Sequence, residues 1–308
     1  MAARSLDAPP RVPVGEAAGP RPGRPVASLS PSRLAVRRFR RHRLAIFGLG
    51  MIVVLVLSAA VGPLLTFNPL YIDIRNKFAP PLTGPHLLGG DELGRDLLAR
   101  LLVAGRISLT VGLAAMAVSM TIGTLAGAIA GYYGGVVDAV IMRFVDAILS
   151  FPTIFLLLGL AAFVTPSLLT ITLIVGVTAW MDVARIVRSQ ILSLREREFT
   201  LAARALGATN WHIIGRELLP NAMAPIVVAA TLNVANAILL ESYISFLGYG
   251  IQPPVASWGN MLNNAQSYFD TAPWVAIFPG LMITLSVTSF NFVGDGLRDA
   301  LDPRLGRH

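Results

Sequence analysis

Six apolar runs organise the chain, at roughly 44–67, 107–131, 141–164, 168–187, 222–244 and 274–294. An α-helix needs about 20 predominantly apolar residues to cross a hydrocarbon core about 30 Å thick. The pattern therefore predicts an all-α, polytopic membrane protein with six transmembrane helices. Only Thr165-Pro166-Ser167 separates the third run from the fourth, which predicts a tight helical hairpin there. The first run follows the basic stretch RLAVRRFRRHR and contains the small residues Ser58, Ala59 and Ala60. A signal peptide shares that order, but the length of the run and the five runs behind it favour a retained span.

Between the fourth and fifth runs the pattern changes. Phe199, Ala202, Ala203 and Leu206 recur at i, i+3, i+4 and i+7, one face of a helix. Gly207 is placed to end that helix. Thr209 is placed to cap a second, expected to stop near Pro220. This helix, turn, helix order is shared with DNA-binding modules, but a recognition helix held between two spans could hardly reach a duplex groove. A plain loop would not need Ala202, Ala203 and Gly207, which permit close approach of another backbone. Arg195, Arg197 and Arg204 add a charged rim, and the combination suits docking into a partner's cleft.

Composition sharpens this picture. Of 308 residues, 54% are hydrophobic and 14% charged, against about 25% charged in soluble domains. There is no Cys, and His42, His86, His212 and His308 form no ligand cluster, so no metal site is expected. The net charge of +8 is unevenly spread: ten Arg precede the first run, six lie within 185–216, and Arg298, Arg304 and Arg307 close the chain. Loop 245–273 has neither Lys nor Arg, and loop 68–106 is mixed. Basic residues favour the cytoplasmic side of a membrane, so both termini and the 190–221 segment are expected there. The charge then reads as an orientation signal, and no nucleic acid is expected as partner. The domain reading is a disordered tail at 1–32, a basic segment and first helix at 33–67, an external loop at 68–106, a core at 107–304 and a C-terminal tail at 305–308.

Residues 201–220 resemble the EAA loop of bacterial ABC importer permeases. Leu201-Ala202-Ala203, Gly207 and Leu219-Pro220 keep its spacing, while Leu201 stands where Glu is usual and Glu217 where Ile is usual. GDELGRDLLARLLVAGRISL (90–109), AGYYGGVVDAVIMRFVDAILSFP (130–152), REREFTLAARALGA (195–208), SFLGYGIQPPVASWGNML (245–262) and GDGLRDALDPR (294–304) resemble the dipeptide/oligopeptide/nickel permease family, in its second-permease branch. The resemblance covers about residues 33–304. It implies a type I importer permease fold in a bacterial cytoplasmic membrane. It also implies a homologous sister permease, two ATP-binding subunits docked on the EAA-like loop and an external solute-binding protein. Arg197, Glu198, Phe199, Ala202, Ala203, Arg204, Gly207, Ala208, Leu219 and Pro220 would carry that docking. Peptides are the implied substrate class, with nickel, glycosides or another small solute as alternatives.

No phosphate-binding loop accompanies these features: the only lysine, Lys77 in IRNKFAP, follows no glycine turn. The chain is therefore expected to bind no cofactor itself, leaving ATP and Mg to partner subunits, and to be a transport subunit, not an enzyme. A secondary transporter would need intramembrane ion sites and has no use for an EAA-like loop. Within the runs, Gly123, Gly127 and Gly131 form a doubled small-xxx-small surface for close helix packing or substrate contact. Arg143 with Asp146, and Asp182 with Arg185, are three apart and are expected to pair on their own helices. Glu241 has no basic neighbour in sequence and shares a helix with Asn233 and Asn236. It is assigned to the translocation path or its gate, with helix capping, subunit contact and lipid-interface exposure as alternatives.

Overall fold

The computed structural model describes residues 31–83, 86–263 and 265–302. The tail expected at 1–32 lies outside the described residues up to position 30, and Pro31 already opens a helix. The C-terminal tail at 305–308 also lies outside them.

The elements in chain order are α1 (Pro31–Phe39), α2 (Arg43–Leu65), α3 (Leu97–Tyr133), α4 (Gly135–Leu149), α5 (Thr153–Ala162), α6 (Leu168–Arg195), α7 (Glu198–Ala205), α8 (Asn210–His212), a π-helical turn (Ile213–Leu218), α9 (Leu219–Asn221), α10 (Met223–Phe246), α11 (Trp258–Asn263) and α12 (Trp274–Leu301). Among the described residues, α2, α3, α6, α10 and α12 are each long and apolar enough to cross a membrane. The third predicted run is not one straight helix. It is α4 and α5, bent by 84° at a short break, because Pro152 cannot continue a helical ladder.

Local chemistry sets the helix ends. Asp96 caps α3, its carboxylate accepting from the Ala99 amide at 3.1 Å. Asp91 accepts from Arg95 Nε at 2.7 Å and lies 3.3 Å from Arg100 Nε. These partners neutralise the charges that made 68–106 read as loop, so α3 begins at Leu97, ten residues before the predicted run. Gly134, at φ +65°, ends α3. Ser167 and Thr170 form a capping box at the start of α6.

The most extensive helix contact is between α3 and α6. A Cβ on Gly123 would lie 2.6 Å from the Trp180 carbonyl, one on Gly127 2.5 Å from that of Ala184, and one on Gly131 2.9 Å from that of Arg188. The two backbones meet along this glycine face. Trp258, buried among Leu97, Leu101 and Ala104, locks the 250s loop onto α3, and its indole donates to the Leu101 carbonyl at 3.1 Å. The apolar outer faces of α2, including Phe47, Val54 and Leu57, remain exposed, as a lipid-facing helix requires. At the end where α2 begins, Arg38 donates to the Asp302 carbonyl at 2.8 Å, joining α1 to α12.

Candidate functional sites

The EAA-like segment forms a platform beneath the paired ends of α3 and α6. Its inner side is anchored by Ile213, Ile214 and Leu218, buried against Tyr132, Val187 and Ile191. Polar contacts reinforce the anchor. Tyr132 donates to Asn210 Oδ1 at 2.8 Å, and Thr200 Oγ1 to the Leu194 carbonyl at 2.9 Å. Arg195 turns inward instead of forming a rim, its Nη1 donating to the Gly131 and Tyr132 carbonyls at 3.3 Å each. The Arg204 guanidinium sits over the Tyr132 ring at 5.7 Å.

The outer side is different. Arg197, Glu198, Phe199, Ala202, Arg204, Gly207 and Pro220 are exposed, while Ala203, Ala208 and Leu219 are half-buried toward the bundle. Leu201, Leu206 and Trp211 also stand exposed, Leu206 by 89%. Gly207 has φ +83° and open space where a Cβ would stand. A left-handed backbone of this kind strongly favours glycine. The segment past Thr209 does not stop at Pro220: the π-helical turn and α9 carry it on, and α10 starts two residues after Asn221.

The expected polar face of α10 divides in two. Asn233 and Asn236 line a groove of about 500 Å³ walled by α6, α10 and the α4–α5 bend. Asn233 is otherwise buried, and its Oδ1 accepts from Ser119 at 2.7 Å. Glu241 is not on that groove wall. It is fully buried inside the chain, accepting from Ser245 at 2.7 Å and Ser108 at 3.2 Å. Ser108 in turn accepts from the Trp258 amide at 3.2 Å. The carboxyl group thus links α3, α10 and the 250s loop, and hydroxyl donors offset part of the cost of its burial.

The expected i, i+3 ion pairs are also replaced. Arg185 reaches across to Asp146 on α4 at 2.5 Å, and Arg188 pairs with Asp138. Asp182 is left without an ion-pair partner among the described residues and lines the groove. In the sequence Arg185 stands one turn from Asp182, but the fold gives it to Asp146 on α4. The place of Asp182 within an apolar run is the available signal.

Comparison with known proteins places this geometry. The family model described as "binding-protein-dependent transport system inner membrane component" matches residues 123–307. A second, the N-terminal transmembrane domain of oligopeptide transport permease C, matches residues 30–81. The chain is 40% identical over 288 residues to a dipeptide transport system permease protein of Alkalihalophilus pseudofirmus, covering 93% of this chain and 94% of that one. It is 43% identical to the oligopeptide transport system permease protein of Escherichia coli (strain K12), covering 88% and 90%. An inward-facing structure of the MetNI methionine ABC transporter superposes with a TM-score of 0.53 at 21% identity, covering 64% of this chain and 94% of that one. The fold is therefore that of a type I ABC importer permease, a multi-pass membrane subunit. The chain belongs to the family of binding-protein-dependent transport permeases.

Proposed function

We propose that this chain is the peptide-translocating permease subunit of an ATP-driven importer in the bacterial cytoplasmic membrane. It pairs with a homologous sister permease, receives solute from an external binding protein, and is driven by two ATPase subunits that hold ATP and Mg. The relatives named as dipeptide and oligopeptide permeases support the solute class. The observation that carries the coupling role is the platform of α7 and its flanks, firmly anchored on one side and exposed on the other. Among the described residues, Leu201, Leu206 and Trp211 stand as an exposed apolar edge. Such an edge, held on the ends of α3 and α6, transmits a push from a docked subunit to the bundle. The groove bearing Asn233 and Asn236 is the candidate translocation path, and Glu241 is a strut behind it.

Leu206→Glu tests the docking. Leu206 supports no core, so the fold should persist, whereas a charge buried unpaired at an interface costs several kcal/mol. Gly207→Asp adds a strained left-handed residue to that charge. Both variants should lose co-purifying ATPase and ATP-dependent uptake in vesicles. Retention of both activities would show that coupling runs elsewhere.

A further inference from the structure

Asp182 lies midway along α6, fourteen residues after Leu168 and thirteen before Arg195. At 1.5 Å per residue, that is about 20 Å from either end of the helix. Asp182 is exposed on the groove wall within the inner part of the apolar run, where an ionisable group marks a solute path or calls for a partner. Arg185, one turn away, is committed to Asp146. Among the described residues, Asp182 is the single charged side chain lining the groove, which also carries Asn233, Asn236 and Tyr243. Among the described residues, no group of three His, Cys, Asp or Glu side chains could hold a metal ion. One carboxylate among amide and phenol groups suits a monovalent ammonium, with the neighbouring polar atoms completing its hydrogen bonds.

On the reading of the groove as a peptide path, we infer that Asp182 receives the α-amino group of the solute as it passes along the groove. The amine supplies the charge the groove lacks, and the carboxylate replaces water that the amine sheds. An uncharged sugar solute would leave Asp182 uncompensated; a peptide with a free N-terminus would not.

The test uses the complete importer in proteoliposomes with its binding protein and a labelled dipeptide. Asp182→Asn should lower the initial uptake rate about ten-fold, the scale of one lost charge-assisted contact. Asp182→Glu, which keeps the charge, should recover most of it. The sister permease should co-purify with all three forms. In a second arm, a water-soluble carbodiimide is added to the peptide-loaded complex. It should activate the Asp182 carboxyl so that the peptide's amino nitrogen, losing a proton, forms an amide with the carboxyl carbon while the carboxyl oxygen leaves in the urea made from the carbodiimide. The product is read by mass spectrometry and absent from Asp182→Asn. Equal uptake by wild type and Asp182→Asn would overturn the inference. So would loss of the sister permease, or carbodiimide coupling of Asp182 to a sister-subunit amine, either of which makes Asp182 a subunit contact. No dipeptide uptake by the wild type would instead overturn the peptide reading, and this inference with it.

Discussion

At the scale of single residues, contacts across helices decide what each side chain does. Gly127 shows this for packing. Its missing Cβ leaves room for the Ala184 carbonyl, a backbone atom that cannot rotate away. Gly127→Leu should destabilise the purified subunit by about 1–3 kcal/mol, as overpacking does, read as a lowered thermal midpoint in detergent. Gly50→Ala on α2, where a Cβ meets open space, should be neutral or slightly stabilising. Equal effects would remove close α3–α6 approach as the reason for the glycines. Glu241 shows the same rule for polar groups. Glu241→Gln keeps one acceptor, for Ser245 or Ser108, and turns its amide NH2 toward the other hydroxyl, which can accept; uptake should stay near wild type. Glu241→Leu strands those hydroxyls, a loss of about 1–3 kcal/mol, measurable by the same melt. A strong uptake defect in a stable Glu241→Gln protein would return the carboxylate to the path. Spacing along α10 puts Glu241 and Asn233 on one face; it contains no information about Ser108 on α3 or Trp258 on α11.

At the scale of elements, the apolar runs were legible because each helix spends a whole span in contact with lipid or other apolar helices. The breaks were less so. The third run stays apolar across Ser150-Phe151-Pro152, so hydropathy alone reads one span where the backbone bends by 84°. Conversely, the start of α3 is masked by Arg95, Asp96 and Arg100, charges that a linear reading assigns to water and that the fold neutralises internally. The coupling segment was legible in its spacing, yet its rigidity comes from distant partners. Arg195 is one: it caps carbonyls at the end of α3 while α6 ends and α7 begins beside it. Arg195→Ala should leave the spans intact but loosen the platform. Amide hydrogen exchange across 198–212 should rise several-fold, since loss of one or two hydrogen bonds lowers a local opening energy by about 1–2 kcal/mol. Unchanged exchange there would assign the rigidity to the Ile213, Ile214 and Leu218 anchor alone.

At the scale of the whole molecule, helix parity and charge converge on one orientation. Arg195, closing α6, bonds the carbonyls that close α3, so both helices finish at the same end of the bundle. The chain leaves α3 at that end and enters α6 at the other, which predicts that α4 and α5 together make a crossing despite their bend. With α2, α3, α6, α10 and α12, the prediction is six crossings, with α1 and the end of α12 on one side. The end so defined carries α1 with Arg33, Arg37, Arg38, Arg40 and Arg41, together with Arg204 and Arg298. At the opposite end, Arg95 and Arg100 are matched to Asp91 and Glu92, and Arg106 donates to the Ala59 carbonyl at 2.6 Å. The excess of basic over acidic side chains is thus at the α1 end, and the positive-inside preference predicts that this end is cytoplasmic. Topology reporters fused after residues 165, 210 and 260 separate the possibilities. The fusions at 165 and 260 should report the exterior and that at 210 the cytoplasm. A cytoplasmic signal at 165 would show that α4 and α5 dip into the membrane and return, and inversion at all three would reverse the orientation and detach the platform from any cytoplasmic ATPase.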